Sequence, residues 1–160
     1  MILEMLNDGT VAIRYGSALA LGNSGRREAA EPLIAKLQGD GEEVVRHASA
    51  KALSQIAAPN SEQALIKSFN EDVASVRNEA AVGLANIKRS AGISALISVV
   101  QDSAKANDHR WNSAIALGNA RATEAVSALQ VALNDNNGTI HFESAEALRK
   151  ITGQSYGYER

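Results

Sequence analysis

The sequence predicts an all-α protein, a right-handed α-solenoid of about 4.5–5 stacked helical hairpins, on three observations. The composition is 45% hydrophobic but only 4% aromatic, with two prolines, which is typical of helices built from alanine and leucine. One motif occurs five times at a period of 31–33 residues. A second element with helical periodicity lies between consecutive motifs. Because one such helix pair cannot bury its apolar stripe alone, neighbouring pairs must stack.

The motif reads IRYGSALALGN in its first copy and HRWNSAIALGN in its fourth. Its second position is basic in every copy, with spacings of 32, 31, 33 and 31 residues: Arg14, Arg46, Arg77, Arg110 and His141. Alanine always follows four residues later, and leucine follows three residues after the alanine: Ala18, Ala50, Ala81, Ala114, Ala145 and Leu21, Leu53, Leu84, Leu117, Leu148. The two columns lie one helical turn apart, so they predict the buried face of the second helix in each hairpin.

The element between motifs carries i, i+4 apolar pairs, which predict the buried face of the first helix: Leu33/Leu37, Leu65/Phe69, Leu96/Val100 and Leu129/Leu133. We expect a single array over 1–154, with units at about 1–26, 27–58, 59–90, 91–121 and 122–154, and a tail over 155–160. Ile2 and Leu6 align with the first of these pairs, so the first helix starts partway through. Either a truncated capping helix opens the array, or the chain is a piece of a longer array. We favour the second interpretation.

This repeat resembles the short HEAT-like repeat of the phycobilisome-lyase type. The hallmark of that type is D-x-x-x-x-V-R-x-x-A-A-x-A-L-G, followed by a helix of the form A-x-x-x-L-x-x-x-L. The resemblance covers nearly the whole chain, and LRKITGQSYGY is similar to the stretch that closes many bacterial proteins of this type. Ankyrin and tetratricopeptide repeats are excluded, because their T-P-L-H and W-x-x-L-G-x-x-Y patterns do not occur. The resemblance is specific for the fold and unspecific for the function.

Composition argues against several functional classes. The net charge of −2 gives no electrostatic case for nucleic-acid binding, and the lack of cysteine removes disulfides and thiolate metal sites. No apolar run approaches about 18 residues and no secretory signal is present, so we expect a cytoplasmic protein without membrane insertion. Phosphate-cradling glycine loops are absent, and Gly22, Gly25, Gly118 and Gly153 are interpreted as helix C-caps.

The histidines do not predict a metal site. His47, His109 and His141 belong to different units, and stacked helices lie about 8–10 Å apart, so these side chains cannot share one ion. Deoxyhypusine hydroxylase, which is built from similar repeats, holds its di-iron centre on His-Glu dipeptides, whereas no histidine here is followed by glutamate. We predict no catalytic residue, no metal and no cofactor, and favour a non-catalytic protein over an enzyme.

A structural ladder is predicted from the basic column and from the aspartate that precedes each motif. Such an aspartate can cap the second helix and pair with an arginine of its own or the adjacent unit. The alternative, a basic ladder for phosphate, is less favoured because each arginine has an aspartate five to eight residues before it. The predicted ladder consists of Asp8, Arg14, Asp40, Arg46, Asp72, Arg77, Arg110 and Asp135.

The position after the basic residue varies between units and predicts a binding surface. Two of the six aromatic residues (Tyr156 and Tyr158) lie in the tail, and three of the other four fall in this column. In the family that the chain resembles, the second helices line the concave surface. With the positions four and eight residues later, the column gives the candidate partner-binding set: Tyr15, Leu19, Asn23, His47, Lys51, Asn78, Val82, Trp111, Ile115, Asn119, Phe142 and Glu146. That large residues there only fill gaps between helices remains an alternative.

These features favour a non-catalytic scaffold that binds a protein or peptide through its concave face, where aromatic anchors supply affinity and asparagine amides bind peptide backbone. The alternative is a subunit similar to the bilin lyases, which attach, remove or chaperone the chromophores of phycobiliproteins, often in a hetero-complex. In that case the ligand is a tetrapyrrole bilin.

Overall fold

The computed structural model describes residues 1–157 and contains ten α-helices within them. They are α1 (Ile2–Met5), α2 (Val11–Ser24), α3 (Ala30–Gly39), α4 (Glu43–Ile56), α5 (Glu62–Glu71), α6 (Ala74–Ile87), α7 (Ser90–Gln101), α8 (Asn107–Ala120), α9 (Val126–Ala132) and α10 (Gly138–Thr152). Short 3₁₀ turns precede α3, α5 and α9. No strand occurs among the described residues, so the all-α prediction is confirmed. Residues 158–160 of the predicted tail, Tyr158 among them, lie outside the described part of the chain.

The helices form two compact units, one over Met1–Ile87 and one that begins at Lys88. In the first unit α2, α4 and α6 pack side by side, with α1 against α2, α3 against α4 and α5 against α6. In the second unit α8 packs against α10, with α7 against α8 and α9 against α10. Each unit therefore has a layer of first helices and a layer of second helices, and the second helices carry the recurring motif.

The motif's alanine and leucine columns form the core between these layers. Every member of both columns is at most 6% exposed. Among the first helices, Phe69 and the leading leucine of each i, i+4 pair are fully buried. The last pair differs, because α9 ends at Ala132 and leaves Leu133 partly exposed. Leu6, the residue that follows α1, is buried, but Ile2 within α1 remains 46% exposed.

Two of the four glycines interpreted as C-caps have that role. Gly25 follows α2 with φ of 65° and Gly153 follows α10 with φ of 76°, and this left-handed conformation is one that glycine adopts without steric cost. In the equivalent position after α4 and α8, Ala57 and Arg121 adopt the same conformation, with φ of 50° and 55°. The left-handed C-cap conformation thus occurs even at residues whose Cβ makes it unfavourable.

The interpretation of Gly22 and Gly118 as C-caps is wrong, because both lie inside helices at points of close approach. A Cβ on Gly22 of α2 would lie 2.6 Å from the Cα of Ala52 in α4. A Cβ on Gly118 of α8 would lie 2.7 Å from the Cα of Ala147 in α10. These glycines let the backbones of neighbouring second helices come closer than any side chain would permit.

None of the helices described is both long and apolar enough to cross a membrane.

Candidate binding surface

The candidate partner-binding residues all lie on second helices, and we call this set the second-helix face. None of its members is buried in the structure. In the first unit the face comprises Tyr15, Leu19 and Asn23 of α2, His47 and Lys51 of α4, and Asn78 and Val82 of α6. In the second unit it comprises Trp111, Ile115 and Asn119 of α8, and Phe142 and Glu146 of α10. Each unit thus carries its own part of the predicted set.

The aromatic residues divide between core and surface. Phe69, on a first helix, is completely buried. Tyr15 and Phe142 are 38% and 42% exposed, and Trp111 is partly exposed. The three aromatic residues of the variable column therefore remain accessible, whereas the first-helix aromatic packs into the core.

In the first unit, two predicted residues from different helices line one open groove. The groove has a volume of about 570 Å³ and is lined by Val11, Ala12 and Tyr15 of α2, Glu43, Val44 and His47 of α4, and Ser75 of α6. Val44, which the sequence analysis missed, is 50% exposed and is the largest apolar contribution from α4. Because Val44 lies three residues before His47, it shares the same helix face, and extending the column by one turn would have identified it.

Polar contacts bridge α4 and α6 beside this groove. The Nε2 of His47 lies 3.5 Å from Oε1 of Glu79, and the hydroxyl of Ser75 donates to the Glu43 carboxylate at 2.6 Å. Glu79 and Ser75 were not among the predicted residues. These two contacts give the apolar groove a polar border that carries carboxylate groups.

The amides of the second-helix face hold neighbouring helices together. The Oδ1 of Asn23 accepts a hydrogen bond from Gln55 of α4 at 3.3 Å, and the Oδ1 of Asn119 accepts one from Lys150 of α10 at 2.8 Å. The amide oxygens of Asn23 and Asn119, which we expected to bind peptide backbone, are therefore engaged within their own units.

In both units, arginines of the basic column pair with the aspartate of the following repeat. In the first unit, Nε and Nη2 of Arg14 donate to both carboxylate oxygens of Asp40, at 2.8 and 3.1 Å. Arg46 repeats this with Asp72, at 3.0 Å from Nε to Oδ2 and 3.0 Å from Nη2 to Oδ1. In the second unit, Nη2 of Arg110 donates to Asp135 at 2.6 Å.

Each arginine also secures a turn through backbone carbonyls. Nη1 of Arg14 donates to the carbonyl of Asp8 at 2.9 Å, Nη1 of Arg46 to that of Asp40 at 3.1 Å, and Nη1 of Arg77 to that of Asp72 at 3.1 Å. Arg110, which is only 7% exposed, donates to the carbonyl of Val100 from both Nε and Nη2. His141 ends the column, and its Nδ1 lies 2.6 Å from the carbonyl oxygen of Leu133. The basic side chains of the column thus contact backbone carbonyls within their own unit.

The aspartates shape the turns in a different way from the one expected. We expected them to cap the second helix, but Asp8, Asp40 and Asp135 accept the N–H of the residue two positions on, at 2.7, 3.1 and 2.8 Å. That residue is itself the N-cap of the helix. The geometry is an Asx-turn, which orients the chain just before the helix begins.

The charges of the ladder stabilise each other. Burial tends to raise the pKa of Asp40, but the hydrogen bonds from Arg14 and from the Glu42 N–H outweigh it and hold that pKa below its usual range. The pKa of Asp135 is lowered by the Asn137 N–H, against burial, and further by Arg110. The hydrogen bond to Asp40 raises the pKa of Arg14. The directions of these shifts agree with the ion pairs that the distances show between Arg14 and Asp40 and between Arg110 and Asp135.

Between residues 1 and 157, no group of three or more histidine, cysteine, aspartate or glutamate side chains is placed to hold an ion.

The comparison with protein families decides the classification. The family model for HEAT repeats matches residues 1–85, more than half of the chain. The chain is a HEAT-repeat protein. A second family model, the PBS lyase HEAT-like repeat, matches residues 110–135 of this HEAT-repeat protein. No curated protein matches it in sequence.

Solved structures share the fold of this HEAT-repeat protein at low sequence identity. A chain of the complex of CpcE and CpcF of phycocyanin lyase from Nostoc sp. PCC7120 matches with 23% identity and a TM-score of 0.76, over 96% of this chain and 64% of that one. A designed armadillo repeat protein in complex with the peptide (KR)4 matches with 17% identity and a TM-score of 0.64, over 94% of this chain and 80% of that one. Human deoxyhypusine hydroxylase in complex with glycerol matches with 15% identity and a TM-score of 0.51, over 96% and 84%. These similarities confirm the α-solenoid class and show the fold alone.

Proposed function

We propose that this HEAT-repeat protein is a non-catalytic scaffold that binds a protein or peptide segment through the second-helix face. The observation that carries the proposal is the division of its aromatic residues: Phe69 is fully buried on a first helix, whereas Tyr15, Trp111 and Phe142 stay accessible on second helices. When a large aromatic side chain is exposed, the fold loses the roughly 1.5–3 kcal/mol of stabilisation that its full burial would supply. Three such exposures in one column of the repeat are better explained by a binding partner than by packing.

The groove of the first unit suits an apolar side chain of a partner segment. Tyr15 and Val44 face it from two helices, and its volume of about 570 Å³ lies within the range of small-ligand sites. Because the groove is open to solvent, it suits a side chain that protrudes from a peptide better than a small molecule that must be enclosed. The carboxylates of Glu43 and Glu79 at its border favour a partner with a basic or hydrogen-bond-donating flank.

The second unit carries aromatic anchors of its own. Trp111 of α8 and Phe142 of α10 occupy the same register on two helices that pack together, with Ile115 one turn beyond Trp111. Tryptophan and tyrosine dominate interface hot spots, where truncation typically costs about 2 kcal/mol or more. The designed armadillo repeat protein with the same fold was solved with the peptide (KR)4 bound, which supports peptide recognition as a use of this architecture.

The test requires a partner obtained by cross-linking the intact protein, followed by titration calorimetry of that partner with variants. We expect Tyr15→Ala and Phe142→Ala each to raise the dissociation constant by about tenfold or more. A tenfold increase corresponds to a loss of about 1.4 kcal/mol of binding free energy. Val131→Ala is the matched control, because Val131 is an apolar residue that is 68% exposed on a first helix. Affinities within twofold of the wild type for both aromatic variants, with far-UV circular dichroism unchanged, would refute the proposal.

A second candidate is a chromophore-handling subunit similar to the bilin lyases. It is favoured by the PBS lyase HEAT-like match over residues 110–135 and by the fold shared with a chain of the phycocyanin lyase complex, 64% of whose length is covered. Addition of phycocyanobilin should then produce a red-shifted absorbance band and quench Trp111 fluorescence. Free N-acetyltryptophanamide at the same chromophore concentration controls for inner-filter effects, and an unchanged spectrum would exclude this candidate.

A further inference from the structure

The sequence contains one asparagine that is followed directly by glycine, Asn137 before Gly138. In such a dipeptide the backbone nitrogen of the glycine can attack the side-chain carbonyl of the asparagine, because no Cβ on the glycine hinders the approach. The pair stands where α10 begins, with Asn137 as the N-cap and Gly138 as the first helical residue. The asparagine most prone to this reaction therefore occupies a position on which a helix depends.

The side chain of Asn137 caps α10. Its Oδ1 accepts the N–H of Thr139 at 3.0 Å and the N–H of Ile140 at 3.2 Å, two groups that have no acceptor within the helix. The N-cap residues of three other second helices, α2, α4 and α8, make no side-chain hydrogen bond of this kind: Thr10, Glu42 and Ala106. The start of α10 thus relies on a side-chain amide where those three helices do not.

The folded conformation of Asn137 does not permit the reaction. Ring closure requires the Gly138 nitrogen and the Asn137 Cβ to lie on the same side of the Cα–C bond, but the ψ of 112° at Asn137 turns that nitrogen away from the side chain. Rotation about ψ would break the 3.1 Å hydrogen bond from the His141 N–H to the Asn137 carbonyl. The N–H of Asn137 is itself bound by Asp135 at 2.8 Å, and Arg110 holds that carboxylate at 2.6 Å. The reaction therefore requires the first turn of α10 to open.

We propose that Asn137 is a site of spontaneous covalent modification, which converts to aspartate and isoaspartate through a succinimide whenever the first turn of α10 opens. The Gly138 nitrogen loses its proton to hydroxide and bonds to Cγ of Asn137. The bond from Cγ to Nδ2 then breaks, and Nδ2 takes a proton from water and leaves as ammonia. Water opens the ring either at Cγ, which gives aspartate, or at the main-chain carbonyl, which gives isoaspartate with the chain running through Cγ. The net reaction consumes one water and releases one ammonia.

Isoaspartate at this position loosens the start of α10. It lengthens the backbone by a methylene group and displaces the capping oxygen, so the N–H groups of Thr139 and Ile140 lose their acceptor. Ile140 is fully buried, and Phe142 of the second-helix face lies two residues further on. Fraying of the first turn thus reaches both the core and the face. Because the modification needs no partner, it can be tested whether or not the proposed binding function holds.

The test incubates the protein at mildly alkaline pH, once folded and once unfolded in guanidinium chloride. Samples are digested briefly with trypsin and analysed by electron-transfer mass spectrometry, which locates the exchange of an amide for a hydroxyl and distinguishes isoaspartate from aspartate. The tryptic peptide 122–149 also contains Asn134 and Asn136, which serve as internal references. We expect Asn137 to convert faster than both references. Unfolding should accelerate its conversion by about fivefold or more, the factor that corresponds to the loss of an N-cap.

Gly138→Ala is the matched control. A Cβ at Gly138 would meet nothing within 4 Å, so the variant keeps the fold, whereas its methyl group hinders ring closure and should slow the conversion in both states. After incubation in the folded state, wild-type protein should exchange the amide protons of residues 139–142 faster than fresh protein does, and Gly138→Ala treated in the same way should not. Conversion of Asn137 no faster than that of Asn134 and Asn136, equal rates in folded and unfolded protein, or unchanged exchange in the converted protein would each overturn the proposal.

Discussion

Replacing Gly22 with alanine will destabilise the protein, although alanine is the better helix former. In the middle of a helix, glycine to alanine stabilises by roughly 0.5–1 kcal/mol. At Gly22, however, the new Cβ would lie 2.6 Å from the Cα and 2.8 Å from the Cβ of Ala52, so the backbone of α4 must move. Overpacking of this kind costs about 1–3 kcal/mol, which leaves a net loss of about 1 kcal/mol once the helical gain is subtracted.

Gly16 provides a control on the same helix. It lies within α2, and a Cβ there would meet nothing within 4 Å. Gly16→Ala should therefore stabilise the protein by about 0.5–1 kcal/mol. Thermal unfolding followed by far-UV circular dichroism should show the midpoint falling by about 2–4 °C for Gly22→Ala and rising by a similar amount for Gly16→Ala. Midpoints that move in the same direction would refute the close-approach explanation. Gly118→Ala repeats the test in the second unit.

Three other predictions concern the ladder and the aromatic residues. Arg110→Met should lower the free energy of unfolding, measured in urea, by about 2–3 kcal/mol, because Asp135 and the buried carbonyl of Val100 lose their hydrogen-bond donor. A loss under about 1 kcal/mol would show that the Arg110–Asp135 pair is dispensable for stability. The folded pKa of Asp40 is held below its usual range, so its contribution is present above about pH 4 and is lost as the pH falls through that lowered pKa. The stability difference between the wild type and Asp40→Asn should thus be constant from neutral pH to about pH 5 and shrink in urea titrations at lower pH. Phe69→Ala should cost about 3–5 kcal/mol and Phe142→Ala less than about 1 kcal/mol, and equal losses would contradict the division between core and surface.

The fold class could be predicted from the sequence because the same apolar positions recur in every repeat. Ala50 and Leu53 are each one of five equivalent residues, and a buried column seen five times leaves no other face for the core. The pairing of Arg14 with Asp40 spans two repeats, but both residues recur at fixed positions, which made their association visible. Accessibility of Tyr15 followed in the same way from its place outside the core columns.

Contacts that depend on the distance between neighbouring helices could not be predicted from the sequence. Gly22 and Gly25 both lie near the end of one helix, and only the approach of Ala52 separates a packing glycine from a capping one. The amide of Asn23 resembled a free recognition group because its partner, Gln55, lies on the next second helix. Such distinctions require knowledge of how closely adjacent helices pack, which no periodicity encodes.

The aspartate turns give the first unit a built-in order of opening. Asp40 orients its own turn through the Glu42 N–H, receives Arg14 from the repeat before it, and offers its carbonyl to Arg46. Separation of α3 and α4 from the unit would break the ion pairs on both sides at once, whereas separation of α1 and α2 breaks only one. Transient opening should therefore begin at the outer hairpin and progress inward, so that the amide protons of α4 exchange with solvent more slowly than those of α2.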